Sequence, residues 1–478
     1  MGSDQLSSDV RDRLQERREG QTPSGTLVAS ADEAYVGDTI TLRGLNLPAE
    51  AELDVVWQTV EGKWGVLQAN EVVGPQYRPR EERVLTVTTD ADGKFEREWK
   101  IPEDYGGEHT IELRQSADDE TALAETTIAI TPWFELDRTE APLGEFFTIT
   151  GYGIGPNVLE NNYQVAWDNG TAGFMTGVMN RGTATAQIRA AGPVGNHELQ
   201  VWRNYRGVPF LQNNTQSPFG EVAGGRQYAW SVEVTEPETP PETMWIDSLF
   251  DEAPLSTHLP DPDRETAAEL EVTPQSGQPG SDIVITGRNF PAGETVDLVW
   301  HTHEGHRVKD IPISPEPQPG VLPTVEADDE GRFQLEVTAP RDRGATRPIT
   351  AEIGGESVAV AGFMLQPEIT SMSPTSGPSG TEIEIELSGI GWPIYENAYY
   401  FLYDNKPLGY ICGLEAKINK TVLRAAGEPG YHFIDVYPSL FDVRDDEPDF
   451  ELKPHLSYID NHPVRPLPGL HMAFEITE

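Results

Sequence analysis

The string in this chain best able to gather a metal is His301-Thr302-His303-Glu304-Gly305-His306. Residues two apart on a strand share a face, and His306 can return across the Glu304-Gly305 turn, so three imidazoles could meet one transition metal. The matching positions of an internal repeat are Gln58, Val60 and Lys63, so the fold does not require the cluster, and a polar hairpin tip explains the same residues. His197 and His432 recur after a Gly-rich turn and could form a ligand site with Asp168 and Asp404; a buried histidine bonded to nearby backbone is the alternative. Calcium could be held by clustered oxygens at Asp90, Asp92, Asp328 and Glu330, but the twelve-residue acidic loop ending in glutamate is missing, and turn chemistry accounts for these residues too. The chain contains no Gly-x-Ser-x-Gly elbow, phosphate-cradling loop or His-Glu-x-x-His, so the expectation is a chain that is not an enzyme and needs no cofactor.

The elements carrying these residues come from a duplication. Residues 36–62 and 279–305 share Gly37/Gly280, Gly44/Gly287, Asn46/Asn289, Trp57/Trp300 and Gly62/Gly305. Farther on, Asp90-Ala91-Asp92-Gly93 answers Asp328-Asp329-Glu330-Gly331, and Pro102 answers Pro340. A second unit pairs Asp168-Asn169 with Asp404-Asn405, and Arg189-Ala190-Ala191-Gly192 with Arg424-Ala425-Ala426-Gly427. The order is A-B-A-B. Alternation such as Glu382-Ile383-Glu384-Ile385-Glu386-Leu387 marks half-buried antiparallel strands, while Asp168-Asn169-Gly170 supplies the positive-φ residues of a tight hairpin. The predicted fold is therefore all-β, four tandem immunoglobulin-like β-sandwiches, with Trp57 and Trp300 filling cores. The expected divisions are an N-terminal tail with a short helix over 1–24, A1 over 25–131, B1 over 132–235, an acidic Pro-rich linker over 236–269, A2 over 270–366 and B2 over 367–478. The linker predicts halves that move independently, although Met244-Trp245-Ile246 and Leu249-Phe250 are apolar enough to pack on a neighbouring domain.

The opening Pro274-Gln275-Ser276-Gly277-Gln278-Pro279-Gly280 through Ile285-Thr286-Gly287-Arg288-Asn289-Phe290 resembles the IPT/TIG group of immunoglobulin-like domains, and Pro374-Thr375-Ser376-Gly377-Pro378-Ser379-Gly380 opens B2 in the same style. The resemblance covers the first third to half of each repeat. It implies non-catalytic binding or spacer modules of cell-surface and extracellular proteins, and names no ligand.

Charge narrows the setting. The 478 residues carry a formal charge of -45, from 79 acidic against 34 basic residues, and only 8 of the basic ones are lysine. Such a surface repels nucleic acid and suits a halophile, where salt screens its self-repulsion. Cys412 has no partner for a disulfide, and its apolar surroundings predict a buried side chain. No apolar run is long enough to span a bilayer, and Arg17-Arg18 leads into Glu19-Gly20-Gln21, with no apolar export segment; a signal was either removed or not needed. Sequons stand at Asn169, Asn213 and Asn419. The expected role is a structural, adhesive or binding protein of the cell surface or extracellular space, with other protein subunits or surface polymers as partners and a homo-oligomer or filament as its assembly. The alternatives are a virion or filament subunit and an accessory subunit of an enzyme complex.

Overall fold

The computed structural model describes residues 24–478 except 68–70, 119–120, 157–161, 206–207, 210–227, 249–258, 305–313, 392–397, 414–415, 445–446, 453 and 463–466. The expected helix near the N-terminus, Leu249, Phe250 and Asn213 lie outside the described residues. Every regular element among the described residues is a strand, and each of the four units is a three-stranded sheet facing a larger one.

In B1 the small sheet joins Ala184–Arg189, Phe146–Tyr152 and Trp133–Leu136. The larger runs Glu140–Pro142, Tyr228–Thr235, Gly195–Tyr205, Asn162–Trp167 and Gly170–Thr176. B2 repeats this with Glu368–Ser373, Glu382–Ser388 and Ile418–Arg424 against Leu470–Ile476, Gly430–Pro438, Ala398–Tyr403 and Lys406–Cys412. The duplication holds in register: Gln164 faces Phe174 as Tyr400 faces Tyr410, and a bulge falls between Val165 and Ala166 as between Phe401 and Leu402. Its hairpins turn on Asp168 and Asn169 (φ 48° and 64°) and on Asp404 and Asn405 (φ 48° and 61°), where short polar side chains tolerate the left-handed region.

Strands form where alternation matches the pleat. In Asp282–Arg288, Ile283 and Ile285 are buried while Asp282 and Arg288 are exposed. Trp57 and Trp300 are almost wholly enclosed in the two A cores.

The two halves do not behave as independent bodies. All six residues of Ala398–Tyr403 are buried, because the strand has two apolar faces. Tyr399, Phe401 and Tyr403 fill the B2 core, whereas Tyr400 and Leu402 join Tyr437, Leu456 and Tyr458 in the hydrophobic core of B1. Burying each such side chain contributes about 1.5–3 kcal/mol, enough in sum to outweigh the freedom of the Pro-rich connection. Part of that connection is itself strand: Met244–Ile246 pairs antiparallel with Leu470–Met472 at the rim of the B2 sheet.

Candidate functional site

Within the histidine string, His301 faces Thr350, with Nε2 2.9 Å from the hydroxyl, and burial pushes its pKa down. The side chain of His303 and all of His306 lie outside the described residues. The acidic turns spend their oxygens on backbone: Asp90 Oδ1 accepts the amides of Asp92 and Lys94, and Asp328 Oδ1 those of Glu330 and Arg332. Asn169 sits in an exposed hairpin, whereas Asn419 is 8% exposed with a buried amide nitrogen, so a glycan there is incompatible with the folded strand. Cys412 is half-buried on a strand at the edge of its sheet instead of enclosed in a core, since among the described residues no further strand pairs with it.

The recurrent histidines make both bonds the sequence offered. His197 Nδ1 lies 2.7 Å from Asp168 Oδ2 and Nε2 2.7 Å from the Pro193 carbonyl; His432 repeats this with Asp404 at 2.6 Å and Glu428 at 2.9 Å. The rings stack on Trp167 and Tyr403, the equivalent core aromatics. Both nitrogens of each ring are thus engaged. Burial alone would lower the His432 pKa, but the hydrogen bond and charge of Asp404 raise it overall.

The charged groups that do converge were not singled out in the sequence. At the B1–B2 interface Arg189 Nε donates to Asp435 Oδ2 at 2.9 Å, and His471 Nδ1 lies 2.7 Å from Asp435 Oδ1. His471 Nε2 lies 3.1 Å from Asp247 Oδ1, and Asp247 also accepts from the Tyr458 hydroxyl and the Gly469 amide. The guanidinium sits 4.2 Å from the Phe146 ring centre and 4.8 Å from that of Phe433. Burial would raise the Asp435 carboxyl; Arg189 and His471 outweigh it and hold the group down at about 2. The repeated Arg-Ala-Ala-Gly motif gave a partial signal, but its copy Arg424 pairs with Glu382 on an exposed face.

Each A–B joint has a buried aspartate. Asp104 accepts from Trp57 Nε1 (2.6 Å) and Thr59 Oγ1 (2.7 Å) and meets Arg181 of B1 at 3.2 Å. Asp342 accepts from Trp300 Nε1 (2.9 Å) and Thr302 Oγ1 (2.8 Å) and meets Lys417 of B2 at 3.5 Å. Two residues on, a Cβ at Gly106 would stand 2.0 Å from the Gly153 carbonyl oxygen, and one at Gly344 1.9 Å from that of Gly389. Only glycine allows the backbones to touch. The signal was present as Pro-x-Asp-x-Gly at 102–106 and 340–344, of which only the prolines had been matched.

Between A1 and B1 runs a cleft filled by B2. The Phe174 amide donates to Pro454 O and the Leu456 amide to Phe174 O, extending the B1 edge strand. Asn461 closes the far end: its carbonyl accepts from Trp64 Nε1 of A1, its Oδ1 from the Met179 amide, and its Nδ2 donates to Thr183 O.

No family profile and no curated protein matches this chain. Solved structures similar to it include the N-terminal four Ig domains of Dscam1 isoform 7.44, at 10% identity over 96% of this chain and 100% of that one, TM-score 0.20. The ICAM-5 D1-D4 ectodomain fragment matches at 13% identity over 90% and 99%, TM-score 0.15. A Salmonella alpha-2-macroglobulin reacted with methylamine matches at 8% identity and TM-score 0.18 over 95% of this chain, which spans 31% of that molecule's length.

Proposed function

We propose that this chain is a non-catalytic structural and binding protein of the cell surface or extracellular space of a salt-loving organism, made of IPT/TIG-like sandwiches. The observation that carries this reading is how its reactive groups are used. Arg189, Asp435 and His471 are buried and, with the half-buried Asp247, bonded to one another across B1 and B2, and Asp104 and Asp342 tie each A unit to its B unit. Groups so enclosed hold domains in fixed relation and are closed to a substrate. The carboxylate-rich exterior supports a setting where salt screens repulsion, and among the described residues no helix is long and apolar enough to cross a membrane. The Pro-x-Ser-Gly openings at 274–277 and 374–377 support the IPT/TIG-like assignment.

The test is protease shaving of intact source cells under their native salt. Release of fragments of this chain while cytoplasmic markers stay intact supports the surface location; full protection until lysis overturns it.

A further inference from the structure

We propose that His109 is a proton-operated lock on the A1–B1 joint: charged, its ring holds the loop that grips B1, and neutral, it lets that loop go. Both ring nitrogens face carbonyl oxygens, Nδ1 lying 3.0 Å from that of Gln58 and Nε2 2.7 Å from that of Tyr105. A carbonyl only accepts, so each contact needs an N–H, and an imidazole has two only when it carries the extra proton. A neutral ring would set a bare nitrogen lone pair against one of the two oxygens in a place almost closed to water, since His109 is 5% exposed. The ring also stacks on Trp57, 4.4 Å between centres, and an aromatic face attracts a cation.

The loop held in this way is the one that touches B1. Tyr105, whose carbonyl meets Nε2, donates its hydroxyl to Val178 O of B1 at 2.8 Å. On either side of it stand Asp104, which meets Arg181 of B1, and Gly106, whose backbone lies against Gly153. Releasing the Tyr105 carbonyl therefore loosens three contacts between the units together.

The duplication supplies the control. Counting from Pro102 and Pro340, His109 answers Arg347, and both stand two residues before the strand partner of the core tryptophan, Ile111 opposite Trp57 and Ile349 opposite Trp300. Arg347 is fully buried, donates through Nη2 to the Gly344 carbonyl of its own joint loop, and lies close enough to Asp342 to stabilise that carboxylate. An arginine keeps its charge at any pH a protein meets. The position thus takes a cation in both copies, permanent in A2 and removable in A1.

Charge reaches the A1 corner from several elements. Asp104 is bonded to Trp57, Thr59 and Arg181; Arg181 also meets Glu82; Glu61 lies near Tyr105, and Tyr77 packs edge-on against it. Asp104 and Glu61 favour the charged ring and Arg181 opposes it. Glu108, Glu112 and Arg114 alternate to the opposite face of the strand, where Glu112 is paired with Glu125, and the facing sheet sets the uncharged Trp99 against Trp57. A proton that the fold binds more tightly than the free chain does adds stability in acid, and that stability is lost as pH rises and the proton leaves.

Nitrogen NMR of the histidine rings in the full chain reads the proton itself, with the His109 signal assigned as the one that disappears in His109→Arg. Both nitrogens should be protonated at about pH 7, where free histidine is mostly neutral. Hydrogen exchange, corrected for its chemical pH dependence, reads the lock: protection over 104–111 should fall roughly tenfold from about pH 6 to about pH 9, while 342–349 holds steady. His109→Arg should make 104–111 behave as 342–349 does, and His109→Gln, with one amide nitrogen for two carbonyls, should show the lowered protection at every pH. His197, His432 and His471 also sit between two acceptors, so a whole-chain melt would sum over all four, which the local readout avoids. One bare ring nitrogen on His109 at about pH 7, steady protection over 104–111 in the original chain, or a pH dependence that survives in His109→Arg overturns the proposal. None of these outcomes touches the surface location, which shaving reads separately.

Discussion

Replacing Arg189 with methionine tests the internal B1–B2 joint where it is most sensitive. The guanidinium is buried, bonded to Asp435 through Nε at 2.9 Å, and lies against the rings of Phe146 and Phe433. Methionine keeps much of the packing against those rings and removes the charge. Asp435 and Asp247 are then left in the interior with His471 alone between them. Breaking one side of a buried ion pair costs about 3–5 kcal/mol, a large part of the ~5–15 kcal/mol that holds an ordinary domain together. The acid limb gives a second measure. Asp435 is held at about 2 against a free value of 3.8, so its contribution, roughly 2 kcal/mol, is present above the free value and lost as pH falls toward 2. Without Arg189 that loss begins at higher pH. Scanning calorimetry between pH 3 and pH 7 is the assay: Arg189→Met should give an earlier transition for the paired B units, with the gap to the original narrowing toward the acid end. Adding Asp435→Leu should recover much of the loss, since His471 and Asp247 then balance. A single variant that melts with the original, or a double variant worse than the sum of its parts, would refute the reasoning.

Asp342→Ala should cost about 3–5 kcal/mol, because it strips Trp300 and Thr302 of their buried acceptor and removes the carboxylate that faces Arg347 and Lys417; small-angle scattering should show a larger radius as A2 swings from B2. The raised His432 pKa means its stabilisation is complete below the ordinary value near 6.5 and lost as pH climbs through the folded-state value; urea midpoints should show this, and Asp404→Asn should flatten it. Melting temperature should rise from about 0.1 M toward molar salt as screening relieves the charge of -45, and a flat or falling curve removes the halophile assignment.

The sandwiches and their duplication were readable because their signals are local. A positive-φ turn shows itself in the adjacent pair Asp-Asn, and a half-buried strand shows its alternation within six residues. The docking of B1 on B2 was not readable, because it depends on which outward residues meet across more than two hundred positions. Its trace was Ala398–Tyr403, where alternation fails because both faces are buried, and an unbroken run of apolar and aromatic side chains looks the same whether it fills one core or two. The histidine–aspartate pairs were found by recurrence, whereas Arg189, Asp435 and His471 were missed because B2 carries no copy of their cluster: Arg424 took an exposed partner. Asp104 and Asp342 recur at one spacing after a proline, and a search for buried-acid motifs next to glycine would have found them.

A strand apolar on both sides matters while the chain is being made. B1 is complete at Thr235, but the sheet that covers it closes only with Leu470–Ile476. The ribosome must add roughly 240 residues in between, on the order of ten to fifty seconds at ordinary elongation rates. Throughout that interval the sandwich lacks the cover that Pro454–Leu456 lays over Phe174 and Ala172 in the finished chain. Translation speed across the second module therefore governs how long each new molecule stays exposed to its neighbours on the polysome.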